Sequence, residues 1–480
     1  MQSQSATPER QATRSQALRG TAPLITKPED SCAWSQVRLR SSTPPARARR
    51  EEFHLCPDPS AGSTRHPRGC LQPVLLRGRV DHIDGATGEL LHRYTTVHEP
   101  GGALPIACKT RRASQCPPCA DVYRADTYQL IRAGLSGGKG VPETVTAHPC
   151  VFTTLTAPSF GPVHVQREKD GRLLRCRSRR RGQVCPHGNR LSCPERHSRE
   201  DARLGEPLCA DCYDYTGAVL FNACASELWR RFTITLRRSL ARQAGLTNKA
   251  LAAQVRVSFA KVAEYQRRGV VHFHAIIRLD GPAGPSTAPP AWATVALLTA
   301  AIDQAVRTVH LETPAVPGLP ARTLAWGREI DTRPVTTTGE LTDSKVAAYV
   351  AKYATKAAEC TGTLDRRISP TDQLSALPIR DHARRHIAAC IRLSKLAGLE
   401  GLRLAAWAHM LGFGGHFSTK SRAYSTTLGA LRADRAAYQH EQAVAAGLLP
   451  DTSDTAIVVT DWHFVGREYP PSLPLAGGAA

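Results

Sequence analysis

The sequence predicts an α+β fold: a mainly antiparallel sheet with helices over one face, a cysteine-rich insertion, and a helical C-terminal region. Residues 255–266 (VRVSFAKVAEYQ) alternate in character, and residues 270–279 (VVHFHAIIRL) are rich in β-branched and aromatic side chains. Only Arg267-Arg268-Gly269 separates them, which predicts a hairpin. Around it runs the order strand, insertion, helix, hairpin, helix, strand, helix, which suits an antiparallel sheet with helices packed against it.

Residues 1 to about 70 are rich in Ser, Pro and Arg without steady periodicity and read as a disordered basic arm, extended to residue 100 with a short hairpin around Asp84-Gly85. Residues 101–149 form a cysteine-containing lead-in. Cys108, Cys116 and Cys119 open it, and an amphipathic helix follows over 120–133, ended by Gly134. The Gly137-Gly138-Lys139-Gly140 turn lacks the glycine spacing of a P-loop. Residues 150–156 (CVFTTLT) read as a strand. The basic run 172–181 suits either phosphate contact or a solvated loop.

Residues 216–238 read as a long helix with Leu228, Trp229 and Phe232 inward. Further helices are expected over 292–309, 343–360, 386–396 and 402–411, with a strand over 323–330. Thr342 or Asp343 caps the 343–360 helix. Residues 361–445 make a helical DNA-contact region in which the loop 412–427 carries Lys420 and Arg422 among hydroxyls; residues 446–480 read as a flexible Pro/Ala/Gly tail.

Two features carry chemistry. On a strand, residues i and i+2 share a face, so His272 and His274 project together and can hold a divalent metal, with Glu264 or Gln266 opposite as third ligand. On a helix, residues at i and i+4 lie roughly 5–6 Å apart at Cβ, so Tyr349 and Tyr353 stand one above the other beside Lys352 and Lys356. Either motif alone is usually structural. Together they suit attack of a phenol oxygen on phosphate.

Phe152-Thr153-Thr154-Leu155-Thr156, then His272-Phe273-His274, then YVAKYATK at 349–356 resemble the three ordered motifs of rolling-circle replication initiators in the HUH endonuclease superfamily. The double-tyrosine helix resembles that of phage gene A proteins, and the cysteine segments resemble initiators of actinomycete plasmids and integrative elements. The likeness spans about residues 101–430. It implies a nuclease domain over 150–360, Mg²⁺ or Mn²⁺ on the histidines, and Tyr349 or Tyr353 as nucleophile assisted by Lys352. It also implies a 5′-phosphotyrosine link with a free 3′-hydroxyl, and single-stranded or melted origin DNA as substrate. A host helicase and polymerase would be partners. Arg267, Arg268, Lys356, Lys420 and Arg422 are candidate DNA contacts. The alternatives are a zinc-stabilised regulator without nuclease activity, and an HUH relaxase or transposase; the order of motifs favours an initiator.

Charge agrees with a polyanionic partner. The 480 residues carry a net charge of +22, and a field of that sign favours nucleic acid. No apolar run approaches the ~18–20 residues that span a bilayer, and the N-terminus lacks the apolar core of a secretory signal. The 15 cysteines, several in CxxC pairs, favour zinc in a reducing cytoplasm over disulfides. Cys185, Cys193, Cys209 and Cys212 are the first choice of structural zinc ligands within an insertion at about 176–215, with His187 or His197 as substitutes. Alternatively Cys116 and Cys119 join Cys209 and Cys212, leaving Cys108 spare.

Overall fold

The computed structural model describes residues 69–177, 183–336, 342–356, 358–369, 371–447 and 456–467. Residues 1–68 of the expected N-terminal arm, 178–181 of the basic run 172–181, and 448–455 and 468–480 of the expected tail lie outside them. Strands β1 (Val74–Asp84), β2 (Leu90–Thr95) and β3 (Leu104–Ile106) come first, then helix α1 (Pro117–Ser136) and β4 (Cys150–Leu155). A short ribbon, β5 (Arg167–Lys169) and β6 (Arg172–Leu174), precedes the long α2 (Tyr215–Gln243) and short α3 (Asn248–Gln254). The hairpin β7 (Arg256–Tyr265) and β8 (Val271–Asp280) follows, then α4 (Val295–Thr308), β9 (His310–Glu312), β10 (Thr323–Ala325) and β11 (Ile330–Pro334). Last come α5 (Asp343–Ala354), α6 (Asp381–Leu393), β12 (Ser418–Lys420), α7 (Leu428–Ala445) and β13 (Ala456–Gly466).

The expected hairpin is the centre of a five-stranded antiparallel sheet ordered β11-β4-β8-β7-β12. Its register runs unbroken from Arg256 opposite Asp280 to Tyr265 opposite Val271. Helices cover both faces of this sheet, not one. Ile276, Ala260 and Val262 pack under α1 and α5 through Leu130, Ile131, Val346, Ala347 and Val350. Phe273, on the opposite face of β8, meets Trp229 of α2 edge-on at 6.0 Å. The reason is in β8 itself: nine of its ten residues are buried, and a strand apolar on both sides needs cover on both. Burying each large apolar side chain there contributes roughly 1.5–3 kcal/mol.

Other departures come from long-range pairing. The hairpin at Asp84 forms, with the Asp84 carboxylate accepting from the Ala86 and Thr87 amides at 2.8 Å each. It is part of a larger unit: β13 pairs along β1 from Leu75–Gly466 to Asp84–Ala456, and β3 pairs with β1 beyond. Residues 74–106 and 456–466 are therefore sheet, not arm and tail. The strand expected over 323–330 is two, β10 and β11, separated where the Gly327 amide donates to the Thr156 carbonyl. Residues 402–411 form 3₁₀ turns instead of a helix, because Arg403 and Leu411 take left-handed φ of 50°. The loop expected over 412–427 contributes β12 and buries Tyr424 beneath α1 and α5.

Helix α6 anchors the hairpin turn from below. His382 donates from Nε2 to the Arg268 carbonyl (3.0 Å) and accepts at Nδ1 from the Tyr215 hydroxyl (3.0 Å), a tautomer assigned from its partners. His386 donates from Nδ1 to the His382 carbonyl at 3.0 Å. Burial, reinforced by Arg380 and Arg385, holds His382 down at about 4; burial and the neighbouring His382 hold His386 at about 3. The unfolded chain therefore binds more protons than the folded one once pH drops below the ordinary histidine value of about 6.5. This stabilisation is complete above that pH and is lost on acidification, down to about pH 4 for His382 and about pH 3 for His386, at up to about 1.4 kcal/mol per unit for each ring. Thermal melts should show Tm falling from pH 7 to pH 5, with a shallower fall in His386→Leu; equal slopes in the two chains would contradict the assignment.

Candidate active site

The hairpin register sets Glu264 directly opposite His272, and strand alternation puts His274 on the same face. Glu264 Oε2 lies 3.1 Å from His272 Nε2 and 3.0 Å from His274 Nε2, and the two Nε2 atoms are 2.8 Å apart. Hydrogen bonds leave one edge of this triangle repulsive in either tautomer: if both rings donate to Glu264 their N–H groups face one another, and if one ring accepts from the other its lone pair faces the carboxylate. A divalent cation can. With bonds of about 2.1 Å it places adjacent octahedral ligand atoms about 3.0 Å apart, and two imidazoles with a carboxylate suit such an ion. Burial works against the Glu264 charge, but the two imidazoles beside it prevail and hold its carboxyl at about 2. Burial lowers His274 against the pull of that carboxylate, keeping the ring available as a neutral ligand. Gln266, the alternative third ligand, instead accepts from Arg268 Nε at 2.8 Å.

Strand β4 orients His274. Thr154, opposite His274, places Oγ1 3.0 Å from His274 Nδ1, leaving Nε2 free for a ligand. Phe152 stacks on the same ring, with centroids 5.7 Å apart and planes at 6°. The register across to His274 is what picks out Thr154 from the threonines of this strand.

Helix α5 brings the phenols to this point. Thr342 is its N-cap, accepting from the Lys345 amide, and Asp343 accepts from the Ser136 hydroxyl. Val346, Ala347, Val350 and Ala354 face the core, so Tyr349 and Tyr353 stand on the flank. Tyr349 Oη is 3.3 Å from His274 Nε2, and the two tyrosine rings are 4.6 Å apart. Burial raises both phenols above their ordinary value, and the Glu264 carboxylate adds to the rise. Positive charge is therefore needed to favour phenolate. Lys356 Nζ lies 4.8 Å and Lys352 Nζ 5.9 Å from the centroid of the Tyr353 ring. Arg111, not singled out in the sequence, donates to the Ala354 and Lys356 carbonyls at 3.3 and 2.7 Å and ties down the end of α5.

Residues 59–474 match the family model described as "Replication initiator protein, pSAM2". The chain belongs to this replication initiator family. It is 52% identical over 407 residues to a replication initiator protein of Streptomyces ambofaciens, an alignment covering 83% of this chain and 84% of the relative. No solved structure matches the chain. The family match reaches beyond the 101–430 resemblance to take in β1 and β13.

The initiator spends several of the basic groups read as DNA contacts on its own backbone. Arg268 donates to the Pro158 and Ala157 carbonyls at 2.7 and 2.8 Å, and Arg267 to those of Arg199 and Asp201 at 2.6 and 3.3 Å. Lys420 Nζ donates to three carbonyls, that of Ser425 at 2.8 Å. These three hold loops together with the donors so engaged; Arg267 is exposed and keeps further N–H donors of its guanidinium. Arg422 is exposed and Lys356 half-buried beside Tyr353.

Among the described residues, three groups of four cysteines and histidines gather closely enough to hold a metal ion, and they are not the expected sets. Cys70, Cys108, Cys116 and Cys119 form one, so Cys108 is not spare and Cys116 and Cys119 do not join Cys209 and Cys212. His164, Cys176, Cys193 and His197 form the second; Cys185, His187, Cys209 and Cys212 the third. Cys193 therefore leaves the first-choice set and His187 takes its place. The backbone decides this: Arg177 and Cys193 exchange both hydrogen bonds at 2.9 Å, while a turn closed by the Cys185 amide on the Asn189 carbonyl presents Cys185 and His187 elsewhere. Cys70 was hidden in the expected arm, and Cys176 in the basic run. Among the described residues, no helix is long and apolar enough to cross a membrane.

Proposed function

We propose that the chain is an HUH-type replication initiator that nicks single-stranded or melted origin DNA with Tyr349, leaving a 5′-phosphotyrosine link and a 3′-hydroxyl primer. The observation that carries this reading is Tyr349 Oη at 3.3 Å from His274 Nε2, beside the Glu264–His272–His274 triangle. Tyr349 is also 38% exposed, so a DNA backbone can reach it.

Glu264, His272 and His274 would hold Mg²⁺ or Mn²⁺, which when bound supplies Lewis-acid polarisation of a phosphate oxygen. Thr154 and Phe152 keep His274 facing that position. Tyr349 Oη forms a bond to phosphorus, its proton leaves to water, and the 3′-oxygen departs with the electron pair of the broken P–O bond. One phosphodiester replaces another, so the strand can be rejoined without ATP. Tyr353, beside the lysines, serves the second cleavage of a replication round. Cytoplasmic action with a host helicase and polymerase completes the reading.

The test is mass spectrometry of the tyrosine peptide after incubation with an origin oligonucleotide and Mn²⁺. The expected product is a nucleotide adduct on Tyr349. Tight binding without any adduct would instead identify a non-catalytic regulator.

A further inference from the structure

We propose that residues 164–212 bind two structural zinc ions as an interleaved cross-brace that locks the turn of the active-site hairpin, while Cys70, Cys108, Cys116 and Cys119 bind a third. The ligand pairs alternate along the chain. His164 and Cys176 share a site with Cys193 and His197; Cys185 and His187 lie between those pairs yet share a site with Cys209 and Cys212. Closing either site therefore encloses a ligand pair of the other within its loop.

The distances fit. A tetrahedral zinc with bonds of about 2.0–2.3 Å sets its ligand atoms roughly 3.3–3.8 Å apart. In the second group His197 Nε2 lies 3.4 Å from Cys193 Sγ and 3.1 Å from His164 Nδ1. In the third, His187 Nδ1 lies 3.2 Å from Cys212 Sγ and 3.7 Å from Cys209 Sγ. In the first, Cys70 and Cys116 sulfurs are 3.9 Å apart, well beyond a disulfide bond.

Independent features prepare these groups for a metal. Each contains a sulfur that accepts an N–H: Cys116 from the Leu71 amide (3.4 Å), Cys176 from Val165 (3.2 Å) and Cys209 from Asn189 Nδ2 (3.2 Å). Donors aimed at sulfur favour the thiolate that zinc requires. Asp201 Oδ2 lies 2.6 Å from His197 Nδ1, which fixes the proton there and leaves Nε2 as the ligating atom. Thiolate with imidazole, in closed sets of four, selects zinc over magnesium.

The brace grips the hairpin from two sides. Close to the second group, the Arg199 and Asp201 carbonyls hold the Arg267 guanidinium. Next to Cys212, the Tyr213 hydroxyl donates to the Arg268 carbonyl at 3.1 Å. The turn so held leads directly into His272.

Elemental analysis of the full chain carrying His272→Ala and His274→Ala, which removes the histidine-pair site from the count, should find three zinc ions per chain. In the unmutated chain, graded chelation followed by thiol labelling should expose Cys176 and Cys193 at the same chelator concentration as Cys185, Cys209 and Cys212. Deuterium uptake across residues 266–271 should rise at that same point. Cys185→Ser should lower the zinc content by two and Cys108→Ser by one. Fewer than three ions in folded protein, or release of the two interleaved groups at well-separated chelator concentrations, would overturn the proposal. Because labelling and deuterium exchange use the unmutated chain, the coupling of the two interleaved sites is read without relying on any variant folding, and none of these readings requires nicking activity.

Discussion

Replacing both Tyr349 and Tyr353 with phenylalanine should abolish the covalent protein–DNA adduct while leaving DNA binding in place. The substitution removes only the two hydroxyls, so the packing of Val346, Val350 and Ala354 that seats α5 is untouched. Tyr349→Phe alone should cost more than Tyr353→Phe in first-strand cleavage, because the Tyr349 oxygen is the one within 3.3 Å of His274 Nε2. Removing an essential nucleophile lowers rates on the order of 10⁴-fold or more in enzymes that use one. Single-turnover cleavage of a labelled origin oligonucleotide, read as a denaturant-resistant band, measures this. An adduct that persists in the double variant would rule out both tyrosines.

The second large effect should follow from the ligand triangle. His272→Ala combined with His274→Ala is expected to lower metal-dependent nicking by at least 10²–10³-fold, roughly the cost of removing one transition-state charge stabiliser. DNA binding should stay largely intact, since phosphate contacts elsewhere carry it. Glu264→Gln tests the same site with little change in shape: it keeps an oxygen but loses the charge that the histidines hold at low pKa. Nicking by Glu264→Gln should recover in part at raised Mn²⁺, as expected when a ligand is weakened. Parallel loss of binding and nicking in the histidine variant would show instead that the rings hold the fold.

Much of this site was legible because its parts are local. Two histidines at i and i+2 share a face of any strand, two tyrosines at i and i+4 share a flank of any helix, and a three-residue turn between strands places Glu264 opposite His272. What no local pattern could show was the partition of the ligands. Cys193 lies eight residues from Cys185 and sixteen from Cys209, yet belongs with His164 and Cys176, because backbone pairing between Arg177 and Cys193 brings it there. Arg267 and Arg268 read as free cations until the carbonyls of distant loops are seen around them. In the same way β13 resembled a tail because its partner strand lies near the other end of the chain.

The amino-acid order by itself therefore determined the hairpin, the tyrosine helix and which side chains share a face of each, since periodicity is a property of a single element. Only the tertiary structure decided that α2 covers the second face of the sheet, that the phenol of Tyr349 meets His274, and that the cysteine and histidine pairs interleave. Those outcomes depend on which distant segments are buried together, and burial is a property of the whole fold.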